Sequence, residues 1–311
     1  MTSGKISLDT KIPCSENASS MGGSQIWLDV RETLSVNDML KAICVASAND
    51  CTVAMAEYLE GSEENFVNRM NTRAKELGMN DTTFKNCHGL DEDGHLTSCY
   101  DISLMSRELL VKHPKITEYS TIWMDTLRDG KSMLNNTNKL IRNYMGATGL
   151  KTGSTSLALY NLSASATRNN LSLIAVVMKA PTPKIRFDEA SKLLDYGFNN
   201  FSYFEFGKSG DVVGSVNVNK GIYGNVDAVL NDSCGAVIKK GQEKSLEQSV
   251  NINNSVFAPI YEGQIVGNVS YSINGQNVGS ANIVAKNSVE KIGFWNMTTR
   301  LYKNWYLLLR G

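Results

Sequence analysis

Ser47-Ala48-Asn49 sets a hydroxyl and a carboxamide two positions apart, and Lys151-Thr152-Gly153, about 100 residues further on, sets an ammonium, a hydroxyl and a bare backbone in succession. A hydroxyl can relay a proton and an amide can orient a carbonyl. An ammonium on an extended strand attracts a carboxylate, and a glycine beside it lets a ligand backbone approach closely. Acyl transfer from a peptide uses groups of these kinds, together with a nucleophile and a base that takes its proton. Taken singly, each tripeptide also suits a plainer role, Ser47 and Asn49 as a helix cap and Lys151 to Gly153 as a strand running into a turn.

The elements that must position these groups follow from the hydrophobic period. From Leu34 to about Lys112 the spacing is helical: Val36, Met39, Leu40 and Ile43 form one stripe, and Phe66, Met70, Ala74 and Leu77 form another, closed by Gly78. Ser62 suits an N-cap with Glu63 and Glu64 in the first turn, and Asp101 precedes a stripe of Ile102, Met105 and Leu109. Ser47 and Asn49 fall in a break inside this helical lobe, where both side chains can point into one cleft.

After about residue 117 the pattern turns to strands. Tyr160 to Thr167 and Leu171 to Met178 flank the turn Arg168-Asn169-Asn170 as a hairpin, and Lys151 and Gly153 share one side of an edge strand. An amphipathic helix follows, with Phe187, Ala190 and Leu194 on one face and Gly197 at its end. Residues 1–203 thus predict one domain of mixed α/β (α+β) class. Residues 204–287 alternate in short Val-, Asn- and Gly-rich runs around Asn274-Gly275 and predict a small β-sandwich. Residues 288–311 return to helical spacing, with Trp295, Leu301, Tyr302, Trp305, Leu308 and Leu309 facing one way and Lys291, Arg300, Lys303 and Arg310 off that stripe.

The charges balance, 31 Lys plus Arg against 31 Asp plus Glu, so no global field draws the chain to nucleic acid. The six cysteines (Cys14, Cys44, Cys51, Cys87, Cys99 and Cys234) form no Cys-x-x-Cys, and His88, His95 and His113 are the only histidines. This composition predicts packed thiols and no zinc or other metal site. No run of about 18 apolar residues predicts a spanning helix, and the first residues lack the apolar segment of a signal peptide. Taken literally, that last feature predicts a cytosolic chain.

The text around the two tripeptides carries a resemblance. Ile43 to Asp50, Val53 to Glu57, Phe66 to Gly78, His88-Gly89-Leu90-Asp91, Thr148 to Thr155 and Tyr160-Asn161-Leu162 resemble the D-alanyl-D-alanine carboxypeptidases, the low-molecular-mass penicillin-binding proteins. The likeness runs from about Gly4 to the C-terminus. It implies the fold shared by penicillin-binding proteins and serine β-lactamases, followed by the β-sandwich and an amphipathic helix. It also implies an extracytoplasmic enzyme of peptidoglycan maturation that is peripheral on the cell membrane and uses no cofactor. Its partners would be stem peptides ending in D-Ala-D-Ala, β-lactams, and the membrane surface through the terminal helix.

By the same resemblance Ser47 and Asn49 are the proton-relay and orienting pair, and Lys151, Thr152 and Gly153 the substrate-binding strand. The third signature of the family, Ser-x-x-Lys, supplies its nucleophile and base. Here that spacing occurs only at Ser288 to Lys291, in a region of different character, so no residue takes over those two roles. The expectation is a chain shortened at its N-terminus and inactive as it stands, with the stripe Val36 to Ile43 short of packing partners. Two alternatives are a non-catalytic stem-peptide-binding relative and a serine β-lactamase; the β domain and tail speak against the second. Ser154 stands where some relatives have histidine and Leu159 where glycine is expected, while His88 and His95 are read as loop residues.

Overall fold

Serines at helix starts set the frame of the first unit. Ser15, Ser35, Ser62 and Ser98 each accept a hydrogen bond from the backbone N–H three residues ahead, which satisfies a donor that has no partner inside the helix. Ser62 acts as its sequence predicts. At the later helix the cap is Ser98, and Asp101 lies inside the first turn, where its buried carboxylate accepts from Asp81 N at 2.9 Å and Thr82 Oγ1 at 2.7 Å.

The computed structural model describes residues 6–308, with the side chains of Arg300, Lys303, Asn304 and Tyr306 to Leu308 left aside. The chain divides between Asn199 and Asn200 into two units. In chain order the first holds β1 (Lys11–Pro13), α1 (Glu16–Ser19), β2 (Thr33–Ser35) and α2 (Val36–Lys41), the last running into a π-helical turn over Ala42–Ala46. Next come α3 (Asn49–Glu60), α4 (Glu63–Glu76), α5 (Cys99–Lys112), α6 (Ile116–Ser120), the hairpin β3 (Met124–Leu127) and β4 (Ser132–Asn135), and α7 (Leu140–Asn143). The antiparallel sheet β5 (Ala147–Thr155), β6 (Leu159–Arg168) and β7 (Leu171–Ala180) follows, with β5 at its edge, and α8 (Pro183–Asn200) completes the unit.

The stripe that the sequence left short of partners is packed. Val36 and Met39 are fully buried in one cluster with Ile12, Val45 and Leu134, and Leu40 and Ile43 lie against it. Two polar devices tie residues 26–32 to this core. Asp50, with no exposed surface in the first turn of α3, accepts from the N–H groups of Ile26 and Leu28, both at 3.1 Å, and of Cys51 at 2.8 Å. Arg128, at the end of β3, donates to Glu32 through Nε at 2.6 Å and Nη2 at 2.8 Å, and to the carbonyls of Ile26 at 2.8 Å and Trp27 at 3.1 Å. That fork holds the Glu32 carboxyl below its ordinary range.

The β6–β7 hairpin turns through Asn169 and Asn170 at φ 48° and 63°, the two positive angles that match the strand twist. Gly197 is not the end of α8. It lies inside the helix, where an added Cβ would collide with the end of the Leu173 side chain on β7, so its role is close helix–sheet approach.

The second unit begins with β8 (Phe201–Gly207), inside the segment that the sequence reading gives to the first domain. It continues with β9 (Val212–Asn219), β10 (Asn225–Leu230), β11 (Cys234–Lys239), β12 (Leu246–Ile252), β13 (Ser255–Phe257), β14 (Ile265–Ile273) and β15 (Gln276–Ala285). The strands form a six-stranded sheet in the order β12-β14-β15-β10-β9-β13 and a two-stranded sheet of β11 and β8. Phe206 of β8 stacks on Tyr271 of β14 at 4.6 Å over a shared core of Val216, Val218, Val269 and Ile283. Asn274-Gly275 makes the expected turn, with φ 52° and 77°.

The tail differs from its sequence reading. Val289 bridges to Ile260 and Lys291 to Gly221, so residues near 290 belong to the β structure, and the helix α9 spans Phe294–Leu308. Trp295, Leu301, Tyr302 and Trp305 are each at least 60% exposed and are not docked on the sheets; Leu309 of the expected stripe and Arg310 off it lie outside the described residues. Among those residues no helix is long and apolar enough to cross a membrane.

Candidate active site

Ser47 closes the π-helical turn in the left-handed conformation, φ 62°, and Asn49 opens α3. The change of helix type between them turns both side chains toward the same space, a break of the kind that often marks functional positions. Asn49 is held from behind: its N–H donates to Ser24 O and its Nδ2 to Gly22 O, both at 2.8 Å. Gly23, at φ +78°, lies so close that a Cβ there would come within 2.8 Å of Asn49 Nδ2.

Strand β5 faces this pair. Lys151 Nζ donates to Ser47 Oγ and to Thr152 O, each at 2.7 Å. The Thr152 hydroxyl meets that of Thr137 at 2.6 Å. As an edge strand, β5 leaves alternate backbone groups without sheet partners, and Gly153 is exposed. The five residues singled out by the sequence therefore line one cleft of about 770 Å³.

A sixth cleft residue escaped the sequence reading. Arg186 of α8 is only 7% exposed, and its Nη1 donates to Gly153 O at 3.2 Å and Asn161 O at 3.1 Å. Its Nε is a buried donor with no hydrogen-bond partner, an arrangement that costs free energy. A signal existed: Arg186 lies four residues before Ala190 and eight before Leu194, on the buried stripe of α8, where an unpaired cation is anomalous. Thr137, in the loop before α7, gave no such signal.

Electrostatics match this geometry. Burial pushes Lys151 down to about 8, the charge of Arg186 adds to that, and the nearby Cys44 thiol opposes it. Burial likewise lowers Arg186 and raises Cys44 to about 11. The cleft thus holds two cations without a carboxylate partner and favours an anion. His88 and His95 also line it, while serving their loop: His88 Nδ1 accepts from Leu90 N at 3.3 Å, and His95 packs edge-on to Phe84 at 5.9 Å. Among the described residues no three His, Cys, Asp or Glu side chains gather as a metal site. Ser288 and Lys291 belong to the second unit.

Known proteins resemble the chain over both of its units. The profile described as D-alanyl-D-alanine carboxypeptidase matches residues 1–182, and that of the penicillin-binding protein 5 C-terminal domain matches residues 201–291. The chain is 40% identical over 306 residues to D-alanyl-D-alanine carboxypeptidase DacF of Bacillus subtilis, covering 97% of this chain and 78% of the relative. It is 32% identical to DacC of Escherichia coli, covering 93% and 74%. Among solved structures, penicillin-binding protein 5 of Haemophilus influenzae superposes with a TM-score of 0.74 at 32% identity, covering 93% of this chain and 86% of that one. Penicillin-binding protein D2 of Listeria monocytogenes in its ampicillin-bound form superposes at 0.57 and 32% identity, covering 63% and 80%. With over half its length in the first profile and 40% identity to DacF over 97% of it, the chain belongs to the D-alanyl-D-alanine carboxypeptidase family, enzymes of cell-wall biogenesis.

Proposed function

We propose that the cleft receives peptidoglycan stem peptides ending in D-Ala-D-Ala. The observation that carries this reading is the convergence of Lys151, Thr152 and a half-satisfied Arg186 on one anion-favouring space beside an open strand edge. The terminal carboxylate sits between the Arg186 guanidinium and the Thr152 hydroxyl. The peptide backbone runs along β5 past Gly153, and Asn49 orients the amide carbonyl. Ser47 passes protons between Lys151 and the substrate amide.

Recognition of the stem peptide is the part of that chemistry which the cleft residues described above support, with β-lactams entering as mimics of the same carboxylate-bearing amide. Titration calorimetry with a peptide ending in D-Ala-D-Ala tests this. Binding should be lost when the terminal carboxylate is amidated and weakened at least tenfold by Arg186→Met; equal binding of the acid and the amide would sink the reading.

The exposed aromatic and leucine residues of α9 suit the interfacial region of a bilayer, which supports a reading of the protein as extracytoplasmic and peripheral on the cell membrane. Co-sedimentation with anionic vesicles should fall sharply on Trp305→Ser with Leu301→Ser. Unchanged sedimentation refutes that placement.

A further inference from the structure

The chain that backs Asn49 goes on to display a tryptophan. Over residues 25–29 the side chains sort to two sides: Ile26 and Leu28 are buried, Gln25 is half-buried, Asp29 is exposed and Trp27 is 74% exposed. The backbone around Trp27 is tied down on both sides. The amides of Ile26 and Leu28 donate to Asp50, and the carbonyls of Ile26 and Trp27 accept from Arg128. Trp27 itself stands at φ 54°, an angle that bulky residues disfavour and glycine adopts freely. A ring so exposed recovers little of that cost by burial. Strain of this kind persists where surrounding structure enforces it, and it collects at positions that meet ligands.

The neighbourhood narrows the ligand. Gly22 O and Ser24 O accept from Asn49, and Gly23 and Ser24 line the cleft. Trp27 follows that wall by three residues, at most about 11 Å of extended chain. In the binding mode proposed above, the terminal carboxylate lies at Arg186 and the amide carbonyl at Asn49, so the upstream residues of the stem peptide leave the cleft on the Asn49 side. Each extended residue spans about 3.5 Å, and the sugar that carries a stem only a few residues long comes on the order of 10 Å beyond Asn49. An indole face flanked by an amide and a carboxylate fits a sugar. The C–H groups of the pyranose ring turn partial positive charge to the negative π-face, and Gln25 and Asp29 offer a donor and acceptors to its hydroxyls.

Building on the stem-peptide reading of the cleft, we propose that Trp27 is the stacking platform of a sugar subsite, with Gln25 and Asp29 at its sides, that takes the glycan strand bearing the stem. Asn49 and Asp50 share the first turn of α3, and Asp50 grips the amides on either side of Trp27, so the platform keeps a fixed position relative to the group that orients the peptide. The preferred ligand is then a glycan-borne stem and not a free peptide.

Titration calorimetry on the full 311-residue protein tests this with three ligands: a free stem peptide ending in D-Ala-D-Ala, the same peptide on its disaccharide, and a peptide-free glycan oligomer. The disaccharide form should bind about tenfold more tightly than the free peptide, and the bare glycan should bind weakly. Trp27→Gly, which relaxes the backbone angle, should erase the disaccharide advantage and the binding of bare glycan while leaving free-peptide affinity unchanged. Trp27→Asn, a residue tolerant of that angle, should do the same, and Trp27→Phe, which keeps an aromatic face, should retain most of the advantage. Equal affinity of the wild type for the disaccharide and free forms, or an advantage that survives both Trp27→Gly and Trp27→Asn, overturns the sugar subsite. Free-peptide binding with no disaccharide advantage refutes the subsite alone. Trp27-dependent binding of bare glycan with no binding of free peptide refutes the stem-peptide reading and supports the subsite, and no binding of any of the three refutes both.

Discussion

Replacing Lys151 by methionine should stabilise the fold while destroying the site. A lysine that gives up its proton near pH 8 instead of 10.5 holds its charge at about 1.4 kcal/mol of disadvantage per pH unit of displacement. At pH 7 that comes to at most about 3 kcal/mol, an upper bound because the residue keeps one side open to the cleft and its two hydrogen bonds return part of the cost. Methionine has similar length and no charge to desolvate, so Lys151→Met should gain about 1 to 2 kcal/mol in urea unfolding at pH 7. The sign with pH follows from proton counting. Between pH 8 and 10.5 the unfolded chain still binds the lysine proton and the native chain has released it, so wild-type stability rises with pH through that window. The advantage of the variant should therefore shrink from pH 8 upward and vanish near 10.5. Melts at pH 6, 7, 8, 9 and 10 would refute the reasoning if Lys151→Met were the less stable protein at pH 7, or if its advantage did not change with pH.

Asp50→Ala leaves the Ile26 and Leu28 amides without their buried acceptor and should cost about 3 kcal/mol in the same assay; a cost below about 1 kcal/mol would mean that residues 26–32 are held by other means. Gly23→Ala drives a Cβ toward Asn49 Nδ2 at a positive φ, and should weaken stem-peptide binding at least tenfold by calorimetry, against no change if Asn49 takes no part. The Glu32 carboxyl is depressed by the Arg128 fork, so its contribution is complete above the ordinary glutamate range and fades as pH falls through the lower folded value. Arg128→Met should flatten that acid limb of the stability curve, and an unaltered slope would reject the assignment.

What could be read from the sequence was local. The Ser62 cap and the Asn274-Gly275 turn depend on residues within a few positions of each other, and both stand as read. The α+β class and the family followed from period and from motif context. Where two residues competed for one local role, the outcome turned on distant partners: Asp101 and Ser98 both suit a cap, and Asp81 and Thr82 take Asp101 away from it. The bridges of Val289 and Lys291 to Ile260 and Gly221 are equally nonlocal, which is why residues near 290 read as helix. Arg186 was legible in principle as a charge on an apolar stripe, but its carbonyl partners on β5 and β6 had no expression in its neighbourhood. The burial of Val36 and Met39 depended on Ile12 and Leu134, too far along the chain for any window to connect.

The guanidinium that gathers Glu32, Ile26 and Trp27 reaches across 96 residues or more of intervening chain. During synthesis, residues 26–32 emerge long before that cation exists, and loop closure over such a span is slow compared with helix formation. α3 and α4 can therefore form on the ribosome while residues 26–32 are held by Asp50 alone, and their second tie is made only after the β3–β4 hairpin has formed. A protease pulse on stalled nascent chains should cut near Trp27 until Arg128 has left the exit tunnel.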